Sequence, residues 1–245
     1  MAAERRSSAF MEGIKRIVKK TPVVRNIARG MMAMLAARQK GPFNSADYWE
    51  RRYRRGLNSG AGSYNRLAMF KAETVNRFVA EHEVASVIEF GCGDGSQLKI
   101  ADYPAYIGVD VAQTVLDATR EMFSRDSNKT FVHTNDLGPQ HKAELSLSLD
   151  VVYHLVEELV FEQYMSQLFD AATRFVIVYS SNNHRESDSV HVRHRQFTDW
   201  IERNRPEFRQ LGVTKNPYPE DVRDLDNTSF ADFYFFERLP ATDQA

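Results

Sequence analysis

The chain has 245 residues, 42% of them hydrophobic and 27% charged, which describes a globular protein of one domain of about 200 residues with an appendage. A formal net charge of −1 argues against a chain built to coat nucleic acid, so no nucleic-acid partner is expected. The single cysteine, Cys92, excludes an internal disulfide and fits a reducing cytoplasm, and no apolar run approaches the roughly 18 residues that a membrane span needs.

Charge is unevenly spread. Residues 1–40 hold ten Lys or Arg against Glu4 and Glu12, a surplus of eight, which leaves minus nine for the remainder. Phe10, Met11, Ile14, Ile17 and Val18 share one helical face opposite Lys15, Arg16, Lys19 and Lys20; after Pro22 the pattern resumes with Val24, Ile27, Met31 and Leu35. Two short basic amphipathic helices are predicted, and residues 10–38 suit peripheral attachment to an anionic membrane or to a partner protein. Packing on the chain's own domain and a role as a transit peptide are the other readings of this stretch. Gly41-Pro42, with Asn44 and Ser45, marks a linker and helix cap, dividing a helical extension (1–45) from a domain (46–245). Asp47–Tyr53 reads as helix, Asn58–Tyr64 is too glycine-rich for a regular element, and Leu67–Glu81 reads as helix.

The β-branched run 84–90 ends in Glu89-Phe90-Gly91-Cys92-Gly93-Asp94-Gly95, followed by a stretch able to begin a helix. Glycines at 91, 93 and 95 open backbone conformations closed to other residues and let a ligand approach bare amides. A dinucleotide fingerprint would ask for glycine at 96, where this chain has Ser96, and a carboxylate at Glu89 suits a cationic amino group better than a pyrophosphate. The stretch resembles the nucleotide-binding loop of class I S-adenosylmethionine-dependent methyltransferases. That resemblance implies S-adenosyl-L-methionine as cofactor, with Glu89, Gly91, Cys92, Gly93 and Gly95 against it and the 58–64 loop as a cover over its methionine end.

Ala105–Asp110 is a second buried strand ending in an acid. Asp110, with Val111 beside it, is the expected clamp on both ribose hydroxyls, a role compatible with capping the helix that starts near Ala112. Phe131–Asp136 is a third strand, and the resemblance puts Asp136-Leu137 at the adenine; Asn135 can do the same, and Asp136 is preferred. A fourth strand, Leu145–Asp150, runs into Val151–Glu158 without a breaker, so Asp150, Tyr153 and His154 are placed toward the reacting methyl group. Arg174–Ser180 is a fifth strand, and strands near 208–213 and 230–236 complete the chain. The order resembles the Rossmann-like, doubly wound, α/β methyltransferase sheet: seven strands, mostly parallel, with one antiparallel strand near an edge.

Methyl transfer to a hydroxyl needs alignment, exclusion of water and a base. His154, with Asp150 beside it, is the candidate catalytic pair, since an imidazole is neutral and receptive near neutral pH. Tyr64, Tyr153, Tyr179, His194 and Arg195 are the candidate substrate contacts, with His194 and Arg195 suited to a polar or anionic acceptor. His191 and His194 have the spacing to share a helical face and hold a metal, but no metal is expected. Tyr48-Trp49, 58–63, 148–155 and 179–182 are similar to stretches of small bacterial methyltransferases of sugar and polysaccharide biosynthesis, which implies O-methylation of a saccharide or other small polar acceptor. N-methylation, RNA methylation and a non-catalytic cofactor-binding subunit are the competing readings.

Overall fold

In the computed structural model, which describes residues 43–240, seven strands join in one sheet of order β3-β2-β1-β4-β5-β7-β6. They are β1 (Val87–Phe90), β2 (Tyr106–Asp110), β3 (Lys129–His133), β4 (Ala143–Leu149), β5 (Ala172–Ser180), β6 (Phe208–Thr214) and β7 (Asp232–Arg238). Pairs from β3 through β5 are parallel, whereas β7 runs antiparallel to both β5 and β6. This is the predicted mixed sheet with one reversed strand next to an edge. The 10–38 stretch and all of the expected extension before Phe43 lie outside the described residues.

Among the described residues, five α-helices accompany the strands: α1 (Ser45–Arg54), α2 (Asn65–Glu81), α3 (Gln113–Met122), α4 (Glu158–Asp170) and α5 (Phe197–Asn204). The period-2 pattern of the strands divides the core into two layers. Along β5, Phe175, Ile177 and Tyr179 pack with Val75 and Phe78 of α2, while Val176 and Val178 join Met165 and Phe169 of α4 and Phe197 of α5. Helices therefore cover both faces, and the parallel strand ends on one edge stay free for loops.

The local chemistry of α1 explains its position. Asn44 caps it by accepting from the Asp47 amide at 2.8 Å. Ser45, its first residue, bonds Glu157 through both its amide and its hydroxyl. Glu50, one turn on, accepts from the Thr114 hydroxyl at 2.6 Å and its amide at 3.2 Å. The α3 N-cap, Ala112, makes no side-chain bond, so the Glu50 carboxylate satisfies an orphan donor of another helix.

Three local expectations need correction. No α-helix follows the glycine turn, only a 3-10 turn at Leu98–Ile100. Ten residues (96–105) separate Gly95 from β2, and Pro104 near their end bars a continuing helix. The third strand stops at His133, so Asp136 closes a 3-10 turn instead of a strand. His191 and His194 lie in a loop before α5, where their HxxH spacing does not place them on a helical face.

Candidate active site

The free ends of β1, β2 and β4 and the turn after β3 border a cavity of about 290 Å³, closed on its outer side by α1 and the 58–64 loop. Glu89, Gly91, Cys92 and Gly93 reach it from the first crossover, Asp110 and Val111 from the second, Thr134 and Asn135 from the third, and Asp150, Val151 and His154 from the fourth. Gly91 has φ +82°, and a Cβ there would stand 2.4 Å from Val151 Cγ2, so the turn closes over the fourth strand's tip only with glycine.

The 58–64 loop interlocks with the glycine turn. The Ser59 amide donates to Asp94 Oδ2 at 2.9 Å, the Asp94 amide returns a bond to Ser59 Oγ at 3.0 Å, and Tyr64 Oη donates to Asp94 Oδ2 at 2.6 Å. Burial raises the Asp94 carboxyl, but these donors outweigh it and leave the group below its ordinary range. Tyr64, a candidate substrate contact, thus serves as a tie between loop and turn and does not border the cavity.

Asp110 accepts from the Gly93 amide at 3.0 Å and the Ala112 amide at 2.9 Å, which fixes its carboxylate at the strand tip. Burial nevertheless raises its carboxyl above the ordinary range. Glu89 is buried and accepts from Tyr106 Oη at 2.7 Å; burial carries its carboxyl up to about 7, against the lowering influence of Tyr106 and of the nearby Lys71 charge. Four carboxyl side chains, Glu89, Asp110, Asp150 and Glu157, border the cavity against one ammonium, Lys71. That imbalance attracts a cationic ligand and repels a pyrophosphate.

Lys71 is a site residue that sequence reading missed. It is 1% exposed, and its Nζ donates to Asp150 Oδ2 at 2.6 Å. The signal was present: Lys71 falls on the apolar stripe of α2, four residues after Leu67 and four before Val75, where a lysine needs a buried partner. Asp150 takes a second bond from Tyr153 Oη at 2.9 Å and adopts φ +62°, a left-handed conformation rare for a non-glycine residue and often found at functional sites. Gly62 of the cover loop permits this, because a Cβ there would lie 2.5 Å from Asp150 Oδ2.

A second cavity, of about 250 Å³, adjoins the first and shares Trp49, Ser59, Ser63, Asp150 and His154 with it. Tyr48, Arg52, Tyr153, His191, Glu220 and Phe230 border it as well. His154 Nδ1 lies 2.8 Å from the His191 carbonyl oxygen, which can only accept, so Nδ1 carries the proton and Nε2 keeps its lone pair. Burial holds the imidazole down at about 4, against the raising influence of the His191 carbonyl and of Asp150. It is packed between Trp49, with ring centroids 5.0 Å apart, and His191 at 5.4 Å.

The remaining predicted contacts are not at either cavity. Arg195 is buried elsewhere: it donates to the Leu155 and Val156 carbonyls at 2.5 and 3.1 Å and lies over the Phe161 ring, so it braces the entry to α4. His194 bonds Ser181 Oγ at 2.7 Å. Tyr179 belongs to the core between sheet and α2. Asp136 and Leu137 do not border the first cavity, whereas the rival Asn135 does. Gly95 is outside the lining too, close to Thr119 and Phe123. Among the described residues, no group of three or more His, Cys, Asp or Glu could hold a metal ion.

No protein-family model and no curated protein matches the chain. Solved structures do. N-methyltransferase NodS from Bradyrhizobium japonicum WM9, in complex with S-adenosyl-L-homocysteine, superposes with a TM-score of 0.61 at 12% identity, covering 80% of this chain and 99% of that one. Magnesium protoporphyrin IX methyltransferase from Synechocystis PCC 6803, with bound S-adenosylmethionine, gives 0.57 at 16% identity, covering 82% and 100%. The fold is that of the class I methyltransferases. Small RNA methyltransferase HEN1 shares it, with a TM-score of 0.53 at 16% identity over 73% of this chain and 26% of that one.

Proposed function

We propose that this protein is an S-adenosylmethionine-dependent methyltransferase acting on a hydroxyl of a sugar or other small polar acceptor. The observation that carries the reading is the junction of the two cavities: Asp150 and His154 border both, so a ligand in each would meet at the His154 imidazole, whose Nε2 keeps its lone pair. The donor set fits the cofactor. Glu89 suits its ammonium, Asp110 its ribose hydroxyls, Asn135 its adenine amino group, and Gly91 and Gly93 leave room for its closest approach. When bound, it supplies a methyl group on a cationic sulfur.

The chain's own residues then have separable tasks. Glu89 holds the ligand's positive charge, α1 and the 58–64 loop exclude water, and His154 Nε2 accepts the acceptor's proton. The His191 carbonyl and the nearby Asp150 stabilise the imidazolium that results. A small-molecule acceptor, as opposed to a nucleic acid, is supported by the overall charge of −1. Peripheral attachment through residues 10–38 is supported by their sequence pattern, and no helix among the described residues is long and apolar enough to cross a membrane.

The test is calorimetric titration with S-adenosylmethionine and with nicotinamide dinucleotide, wild type beside Asp110→Ala. Micromolar binding of the first, abolished by the substitution, is the expected result. Binding of the dinucleotide, or of neither, would overturn the reading.

A further inference from the structure

The second cavity has a charge pattern opposite to the first. Its two carboxylates are each matched: Asp150 by Lys71 at 2.6 Å, and Glu220 by Arg185, also at 2.6 Å. Arg52 is not matched. Its Nε donates to the Asn58 carbonyl at 2.7 Å and its guanidinium carbon lies over the Trp49 ring at 5.6 Å, which fixes the planar group, and among the described residues it makes no ion pair. The Asp94 carboxylate on the far side of the cover loop is already occupied by Ser59, Tyr64 and Ser96 donors. Arg52 is thus a half-buried, half-tethered guanidinium that borders this cavity, its terminal N–H groups without a hydrogen-bond partner among the described residues, and its fork suits carboxylate or phosphate oxygens.

The rest of the wall is aromatic. Tyr48 and His191 are stacked at 4.9 Å and 12°, Trp49 stands edge-on to His154, and Phe230 stands edge-on to Tyr153 at 4.8 Å. Burial lowers both imidazoles from their ordinary range, and the Arg52 charge adds to that lowering at His191. Rings offer flat surfaces to a ring ligand, and one cation fixes its orientation.

We propose that the second cavity takes a hydroxylated ring compound bearing an anionic group, and that Arg52 receives that anion while a hydroxyl is turned to His154. This rests on the methyltransferase reading above and specifies its acceptor. It also moves the anion contact from Arg195, whose guanidinium is committed to carbonyls, to Arg52.

The full chain, saturated with S-adenosyl-L-homocysteine, is titrated with two matched sets while binding is followed by saturation-transfer NMR. One set is D-glucose, D-glucuronate and D-glucose 6-phosphate; the other is 4-hydroxybenzyl alcohol, 4-hydroxybenzoate and 4-hydroxyphenyl phosphate. In at least one set an anionic member should bind at least tenfold tighter than its neutral partner, and the carboxylate and phosphate arms tell which anion is preferred. Arg52→Gln should bring that ratio within twofold of unity, Arg52→Lys should keep part of it, and homocysteine-ligand affinity should stay within twofold in both. Equal binding of neutral and anionic members, binding of no anion, or a preference that survives Arg52→Gln would overturn the proposal. Failure of S-adenosyl-L-homocysteine to bind wild type would instead remove the cofactor reading, and the anion preference is then read on the ligand-free protein.

Discussion

The two cavities touch at Asp150 and His154 yet are built by different logic. The first is made largely from strand ends: Glu89, Asp110 and Asp150 lie at the ends of buried strands, as Asp110 does, fixed by the Gly93 and Ala112 amides, and only Glu157 comes from the entry to a helix. The second is made from segments far apart in sequence, α1, the 58–64 loop, the 191 region and the 220–230 loop, held by side-chain stacking and paired charges. A sheet edge thus presents a negatively charged floor that any chain with these strand ends would share, while α1 and the loops above it supply the second cavity's unmatched guanidinium, Arg52, and its rings. Under the proposed function, cofactor binding and choice of acceptor are assigned to separate parts of this molecule.

That separation can be broken most severely at Lys71, which serves both sides by neutralising Asp150. Lys71→Met should leave a buried carboxylate unpaired and cost about 3–5 kcal/mol, read as a fall in the denaturation midpoint at neutral pH. Next in size, Asp110→Ala should weaken S-adenosyl-L-homocysteine at least a hundredfold by calorimetry, with acceptor-side rings unmoved. His154→Gln should cut turnover more than tenfold while homocysteine-ligand affinity stays within about threefold, since general bases contribute about 10²–10⁴; unchanged turnover would remove the base. Wild-type turnover should show no limb near pH 6.5, because His154 stays neutral down to about 4. Cofactor affinity should be the more pH-sensitive quantity. Glu89 is raised to about 7, so it is neutral below that pH, and a ligand ammonium needs it ionised; affinity should fall about tenfold per unit below pH 7. The same raised carboxyl contributes stability that is complete below the ordinary carboxylate range and is lost as pH rises through about 7. Smallest of all, Asp136→Ala should change cofactor affinity less than twofold, and Asn135→Ala more than that.

The same division governs what could be read without coordinates. Strand ends are legible because an apolar run, a turn and an acid occur within a few residues; Glu89, Asp110 and Asp150 were found this way. Asn135 against Asp136 turned on where the third strand stops, and periodicity does not fix an end to within two residues. Arg195 and Arg52 carry the same guanidinium, and only the fold shows that one meets the carbonyls ahead of α4 while the other faces a cavity. Lys71 was hidden by the habit of placing lysine outside, although its position on the α2 stripe pointed inward.

The 3-10 turn that replaces a helix after Gly95 bears on redesign. Converting this chain to a nucleotide-diphosphate enzyme is more than a matter of exchanging Ser96 for glycine and Glu89 for a neutral residue. Without a helix axis behind the turn there is no row of aligned peptide dipoles to hold a diphosphate. Such a converter would first have to lengthen the ten-residue connection to β2, remove Pro104 and find room for a new helix.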